Sequence, residues 1–258
     1  MVSLKNKIVF ITGATSGIGK NCAIEFAREG ANLILCSRRV ELLNAFSEEL
    51  IKEFGIKVYS FQLDVRDEEA VNSAVKAFPE EWKSIDILIN NAGLARGFAK
   101  LYEDDTQNWN EMIDTNVKGL LYVTRAVVPA MAKRNNGHII NIGSIAGHEA
   151  YPNGGAYCAT KHAVDAITKS LRMDLADKNI RVSTIDPGLV ETNFSVIRFH
   201  GDEDRAKNVY KGITPLSGKD IAETIVFIAT RPAHVNLAQI VIFPTHQASS
   251  TIVHREDL

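Results

Sequence analysis

Short apolar runs alternate along this chain with longer stretches of helical period. KIVFIT (7–12), NLILCS (32–37), KVYSFQL (57–63), IDILIN (85–90), HIINIG (138–143), RVSTID (181–186) and QIVIF (239–243) are rich in Ile, Val and Leu and are bounded by polar or turn residues. They lack strict in-out alternation, which is the pattern of strands covered on both faces, and we read them as seven strands. The segments between them have recognisable helix ends. Asp67 precedes EEAVNSAVKAF and Pro79 closes it, while Lys219-Asp220 precede IAETIVFIAT and Pro232 follows. The longest helical stretches fall at about 106–134 and 156–177. Helices alternating with buried strands predict right-handed crossovers and parallel pairing. The expected fold is therefore α/β, a doubly wound sheet of seven mainly parallel strands flanked by helices. No repeat, linker or low-complexity segment divides residues 1–258, so a single domain is expected. Only about 188–217 lacks a clear period, and its mixture of Gly, Pro and charge predicts a flap over a site.

Composition removes several functions. A formal net charge of -2 offers no basic field for nucleic acid. Cys22, Cys36 and Cys158 are scattered without a Cys-x-x-Cys spacing, which suggests neither a disulfide framework nor zinc, and they are read as small buried hydrophobes. The histidines show no His-x-x-x-His spacing, so no metal is expected. The apolar run near the N-terminus is too short for a signal peptide or a membrane span, and a cytoplasmic protein with no membrane partner is expected.

The first strand runs into Gly13-Ala14-Thr15-Ser16-Gly17-Ile18-Gly19, and a helical segment follows. Glycines there allow a tight turn and a close approach of backbone N–H groups to a pyrophosphate, whose charge the helix N-terminus favours. The spacing is G-x-x-x-G-x-G, and turns collect glycine for steric reasons too, so the position between strand and helix carries this reading. At the tip of the second strand, where NAD-preferring folds place a carboxylate, the chain has Ser37-Arg38-Arg39. A hydroxyl and two guanidiniums suit the 2′-phosphate of NADP. The plainer alternative is a solvated helix start, with Glu41 pairing one arginine.

Tyr157 and Lys161 stand four residues apart in a helical pattern and so share a face. A phenol beside a cation can exchange protons, although a packed ring beside a snorkelling lysine stem has the same spacing. Ser144 follows the fifth strand, at the rim where doubly wound proteins bind ligands, although serine there is also a common turn residue.

Together, TGATSGIG, Asn90-Asn91-Ala92-Gly93, Ser144 and Tyr157-x-x-x-Lys161 make nearly the whole chain similar to the short-chain dehydrogenase/reductase family. Stretches such as EEWKSIDILINNAGLARG, MIDTNVKGLLYVTRAVVP, GHIINIGSIAG and DPGLVETNFSVIRFHGD resemble its NADP-dependent 3-hydroxy acid dehydrogenases, which act on serine, L-allo-threonine and 3-hydroxypropionate or malonic semialdehyde. The resemblance implies a single NAD(P)-binding Rossmann domain and hydride transfer between NADP and a small 3-hydroxy acid. Tyr157 would be the general acid or base, Ser144 the polariser, Lys161 the group that lowers the phenol pKa and binds the ribose, and Asn116 the support of a water relay. It also implies that Asn90, Ala92 and Gly93 line the adenosine side, that Asp64-Val65 meet the adenine, and that Pro187, Gly188, Val190 and Thr192 border the nicotinamide. A homotetramer is implied as well. For a substrate carboxylate the candidate is Arg198, with His148 shaping the pocket and His200 and Gln247 as weaker candidates; the competing reading pairs Arg198 with Asp202 or Glu203. A reductase of another carbonyl (sugar, 3-oxoacyl thioester, steroid) and a non-catalytic NADP-binding module are the alternatives.

Overall fold

The computed structural model of the protein describes residues 2–256. Its first half runs β1 (Ile8–Thr12), α1 (Gly17–Arg28), β2 (Asn32–Ser37), α2 (Val40–Phe54), β3 (Val58–Gln62), α3 (Glu68–Lys76) and β4 (Ile87–Asn90). The second half runs α4 (Thr106–Ile113), α5 (Leu120–Arg134), β5 (Gly137–Ile142), α6 (Gly155–Asp174) and β6 (Ile180–Pro187). There follow β7 (Val190–Glu191), α7 (Phe194–Arg198), α8 (Glu203–Asn208), β8 (Leu216–Ser217), α9 (Gly218–Ala229) and β9 (Gln239–Ile242). The seven long strands lie in the order β3-β2-β1-β4-β5-β6-β9, every neighbouring pair parallel. The strand order reverses between β1 and β4, which opens a crevice at the carboxyl ends.

Successive side chains of one strand feed different cores, which is why the apolar runs do not alternate with polar residues. Val9 and Ile11 of β1 pack with Phe26, Leu43 and Ile225 from α1, α2 and α9. Phe10, between them, packs on the opposite face with Val71, Val127 and Met131 from α3 and α5. Polar side chains that carry chemistry are thereby pushed to the strand ends.

The helix boundaries differ from the sequence reading in instructive ways. Residues 106–134 are not one helix, because a π-helical stretch, Asp114–Gly119, separates α4 from α5. Gly119 lies so close to the loop after β3 that a Cβ would come within 2.7 Å of Val65 Cγ2. α9 starts earlier than expected, at Gly218, because Ser217 is its cap. The Asp220 side chain accepts from Ser217 N (2.7 Å) while Ser217 Oγ accepts from Asp220 N (3.2 Å), so Asp220 is the reciprocal partner in a capping box. Asp67 caps α3 as expected, accepting from Ala70 N at 2.9 Å. The aperiodic stretch 188–217 is not structureless; it holds β7, α7, α8 and β8, with β7 and β8 paired.

One buried polar chain ties the sheet to the helices behind the crevice. Asn90 Nδ2 donates to Thr124 Oγ1 (3.1 Å) and Asn141 Oδ1 (2.9 Å), and Asn141 Nδ2 donates to Thr168 Oγ1 (2.8 Å) on α6. Asn141 is completely buried, so truncating it leaves donors unpaired where no water reaches. Asn141→Ala should lower the stability by about 2–4 kcal/mol, read as a lower urea midpoint at unchanged slope.

Candidate active site

The carboxyl ends of β1, β4, β5 and β6 open onto a cavity of about 860 Å³. Its floor depends on a knot between the loops after β1 and β4. Thr12 Oγ1 accepts from Asn91 N and Ala92 N, both at 3.0 Å, and Asn91 Nδ2 donates to Thr12 O (2.8 Å) and Gly13 O (3.1 Å). Gly19 is pressed against the Asn91 side chain and the Gly13 carbonyl, with no room for a Cβ. Gly13 and Gly17 take φ values of 68° and 55°, which favour glycine. Ser16, the N-cap of α1, makes no side-chain cap bond, so the first-turn N–H groups remain free for an anion.

The wall beside this loop is cationic. Arg39 Nη2 donates to Thr15 Oγ1 (2.8 Å) and Ser16 Oγ (3.0 Å), and Arg39 N donates to Ser37 Oγ (3.1 Å). Among the described residues neither Arg38 nor Arg39 forms an ion pair, so the alternative pairing with Glu41 is not realised. Hydroxyls and guanidiniums thus line this end of the cavity, and their donors fit a phosphorylated dinucleotide. Asp64 and Val65 line the cavity further along. The Asp64 carboxylate is taken by Arg66 at 2.6 Å, and that hydrogen bond holds its pKa below the usual range.

Several expected lining residues shift by a place or act indirectly. Asn91, rather than Asn90, faces the cavity beside Ala92 and Gly93, because Asn90 is the strand residue committed to Asn141 and Thr124. Gly19 packs the loop and does not line it, whereas Gly13, Ser16, Gly17 and Ile18 do. Pro187, Gly188, Val190 and Thr192 border the middle of the cavity, and the Thr192 side chain lies over Gly17. Asn116 sits in the π-helical stretch; its amide accepts from Leu94 N (2.8 Å) and donates to Leu94 O (2.8 Å) and Thr160 Oγ1 (3.1 Å). It therefore fastens the loop after β4 to α6, one residue before Lys161.

Ser144, Tyr157 and Lys161 meet where β5, α6 and β6 converge. Ser144 Oγ accepts from Ala146 N at 3.1 Å and lies a long 3.4 Å from Pro187 O, to which it donates. Lys161 Nζ donates to Ile142 O at 2.8 Å and stands 5.9 Å from the centroid of the Tyr157 ring. In the chain by itself, burial outweighs the nearby charges at the phenol. Burial pushes the Tyr157 phenol well above the ordinary tyrosine value and the nearby Tyr151 adds to it, while a hydrogen bond to Ser144 and the charge of Arg198 pull the other way. Burial also lowers the Lys161 ammonium to about 8, with Asp186 opposing the fall. Desolvation is the larger effect, and the ammonium spends a hydrogen on a carbonyl.

At the outer end, Arg198 leaves the last position of α7. Its Nε donates to Gly97 O (3.2 Å) and its Nη1 to the Tyr151 hydroxyl (3.2 Å). Its guanidinium lies 4.8 Å from the Phe98 ring centroid, 5.6 Å from that of Tyr151 and 5.8 Å from that of Tyr157. Its Nη2 is buried without a partner. The competing ion pairs do not form: Asp202 caps α8 through Arg205 N (2.9 Å), and Glu203 lies 3.7 Å from Lys207. Gln247 lines the cavity, but its Oε1 accepts from Leu189 N (2.7 Å) and its Nε2 donates to Ser249 O (3.0 Å).

Neither histidine candidate lines the cavity. His200 is exposed at φ 55°, and His148 Nε2 bonds to Asp186 Oδ2 at 2.9 Å. The same carboxylate oxygen accepts from Thr184 Oγ1 (3.2 Å) and Gln239 Nε2 (3.0 Å). The sequence reading missed Asp186, Tyr151 and Phe98. A lone Asp before Pro-Gly at the end of a buried run was the available signal for the first; the aromatics gave none beyond their Gly-rich surroundings.

Comparison with known proteins agrees with this architecture. The family model described as short chain dehydrogenase matches residues 7–201. The NADP-dependent 3-hydroxy acid dehydrogenase of Schizosaccharomyces pombe is 44% identical over 257 residues, 99% of each chain. That of Salmonella typhi is 44% identical over 250 residues, covering 96% of this chain and 99% of the relative. Among solved structures, the closed form of serine dehydrogenase complexed with NADP+ superposes with a TM-score of 0.90 at 43% identity, covering 96% of this chain and 100% of the other.

Asp186 opposes the fall of the Lys161 pKa, so Asp186→Asn should move that titration below about 8. The lysine ε-methylene NMR signals followed against pH measure it; an unmoved midpoint would remove Asp186 as the counter-charge.

Proposed function

Since this chain belongs to the short chain dehydrogenase family, we propose that it is an NADP-dependent oxidoreductase moving a hydride between the cofactor and a small 3-hydroxy acid of the serine, L-allo-threonine or 3-hydroxypropionate type. The observation that carries the acid substrate is Arg198, which lines the same cavity as Ser144, Tyr157 and Lys161 and keeps its Nη2 buried without a partner. A buried guanidinium nitrogen without a partner costs free energy that an anionic group recovers, and a guanidinium suits a carboxylate. A relative 44% identical is named for this substrate class, which supports the same reading.

The dinucleotide supplies the hydride and, when oxidised, a positive ring charge. Tyr157 holds the proton that the substrate oxygen gains on reduction and loses on oxidation. Its phenol is protonated at neutral pH in the chain alone, which suits donation, and the proton leaves only when added positive charge offsets the burial. The Ser144 hydroxyl, weakly held by Pro187 O, is free to donate to the same oxygen as charge develops there. Lys161 contributes a positive charge fixed by Ile142 O, and Asn116 holds its helix in place through Thr160. Arg198 receives the acid group and the Phe98 and Tyr151 rings exclude water around it. The segment 188–217, which carries Thr192 over the glycine loop and Arg198 over the substrate end, acts as the flap of the single domain.

We further assign a cytoplasmic homotetramer. Three free, buried cysteines suit a reducing compartment, and Ile113, Leu121 and Met173 present exposed apolar surface on α4, α5 and α6. No helix among the described residues is long and apolar enough to cross a membrane. Light scattering should return the mass of four chains.

Tyr157→Phe should lower kcat by about 10²-fold or more while NADPH affinity is retained. Steady-state turnover of malonic semialdehyde or L-serine together with NADPH titration tests this, and retained turnover would refute the proton role. Neutralising Arg38 and Arg39 together should raise the KM for NADPH by about tenfold or more and leave that for NADH nearly unchanged. Equal effects on the two cofactors would dismiss the phosphate contact.

A further inference from the structure

We propose that Arg96 is a positioning residue for substrate selection: by clasping the Ile197 carbonyl it holds α7 against the loop after β4 and so fixes the Arg198 guanidinium over the cavity. The inference rests on the reading that Arg198 receives the acid group of the substrate.

The five residues of α7, Phe194–Arg198, are too few to hold a helical turn unaided. They lie in the stretch without periodicity, so a partner must fix them. Three hydrogen bonds join α7 to residues 96 and 97. Arg96 Nη1 donates to Ile197 O (2.7 Å), Gly97 N donates to Arg198 O (3.0 Å), and Arg198 Nε returns a bond to Gly97 O (3.2 Å). The first is the only one made by a charged side chain outside the cavity lining. Arg96 is itself held by Glu111 on α4, Nε to Oε2 at 2.8 Å, an ion pair with both side chains about one quarter exposed (23% and 25%).

The platform under this clasp is stiff. Gly97 takes φ 69°, and a Cβ there would meet Asn108 Nδ2 at 2.7 Å and Asp104 Oδ1 at 2.8 Å. Asp104 in turn accepts from Asn108 Nδ2 (2.9 Å) and Trp109 Nε1 (3.0 Å) on α4. The guanidinium of Arg198 is therefore aimed by α4 and the loop after β4 rather than by the segment that carries it. Among the described residues, loss of the clasp leaves α7 hydrogen-bonded to that platform only through Gly97, with the Phe98 ring still against the guanidinium. Arg198 then samples more orientations, and the cost falls on substrates that need it, because misplacing a binding group weakens only the interactions it makes.

The test compares 3-hydroxypropionate with its uncharged amide, using NADP+ and the intact enzyme, in Arg96→Met, Arg96→Lys and Arg198→Met. Arg96→Met should raise the KM for the acid about tenfold or more while kcat, the KM for the amide and the NADP+ affinity stay within about twofold. Arg96→Lys, which keeps one donor, should recover part of the loss. Parallel changes for acid and amide, or no change for either, would overturn the proposal. If Arg198→Met itself fails to separate acid from amide, the anchor reading falls. If it separates them and Arg96→Met does not, only the clasp falls. Should Arg96→Met fail to fold, Glu111→Gln, which weakens the hold on Arg96, must show the same selectivity change in smaller degree, and its absence also overturns the clasp.

Discussion

A sheet covered by helices on both faces admits water only at its rim, and the polar residues of this protein are arranged around that constraint. β1, β2 and β4 are filled with Ile, Val, Leu and Phe directed into two cores, and the side chains that line the cavity gather where β1, β4, β5 and β6 end. The Thr12–Asn91 knot makes the rim usable. It joins two strand ends across the point where the strand order reverses, and against that joint the glycine loop, the cationic wall and α6 are all placed.

Burial at the rim decides the electrostatics. Tyr157 and Lys161 sit together, yet desolvation acts on both and drives each toward its neutral form, the phenol upward and the ammonium down to about 8. Proximity alone does not make a phenolate; the balance of charge around the pair does. Asp186, itself held by His148, Thr184 and Gln239, is the carboxylate whose charge opposes the fall of the lysine pKa. The polar chain from Asn90 through Asn141 to Thr168 acts more locally, tying α6 to the sheet so that the two groups stay in register with Ser144.

The substrate end obeys a different logic. Nothing in the local sequence around Arg198 determines its direction, because α7 is only five residues long and lies in the stretch without a helical period. Direction comes from residues about a hundred positions earlier, Arg96 and Gly97, which rest on α4, and from the rings of Phe98, Tyr151 and Tyr157. A cation packed among aromatic rings with one nitrogen unpaired is the observation on which the proposed acid anchor rests.

Periodicity was sufficient for the seven strands and the doubly wound architecture, and local motifs picked out the glycine loop, the arginines after β2 and Ser144, Tyr157 and Lys161, which the fold brings to one cavity, because each signal depends on residues close in sequence. Asp67 was readable as a cap for that reason, whereas Ser217 was hidden because Asp220 looked like the cap it partners. Tertiary structure alone decided which of Asn90 and Asn91 faces the cavity, that His148 serves Asp186 instead of the pocket, how strongly burial acts on the phenol, and where Arg198 points. These outcomes depend on burial and on contacts between distant segments, and a sequence lists its residues without stating which of them water can reach.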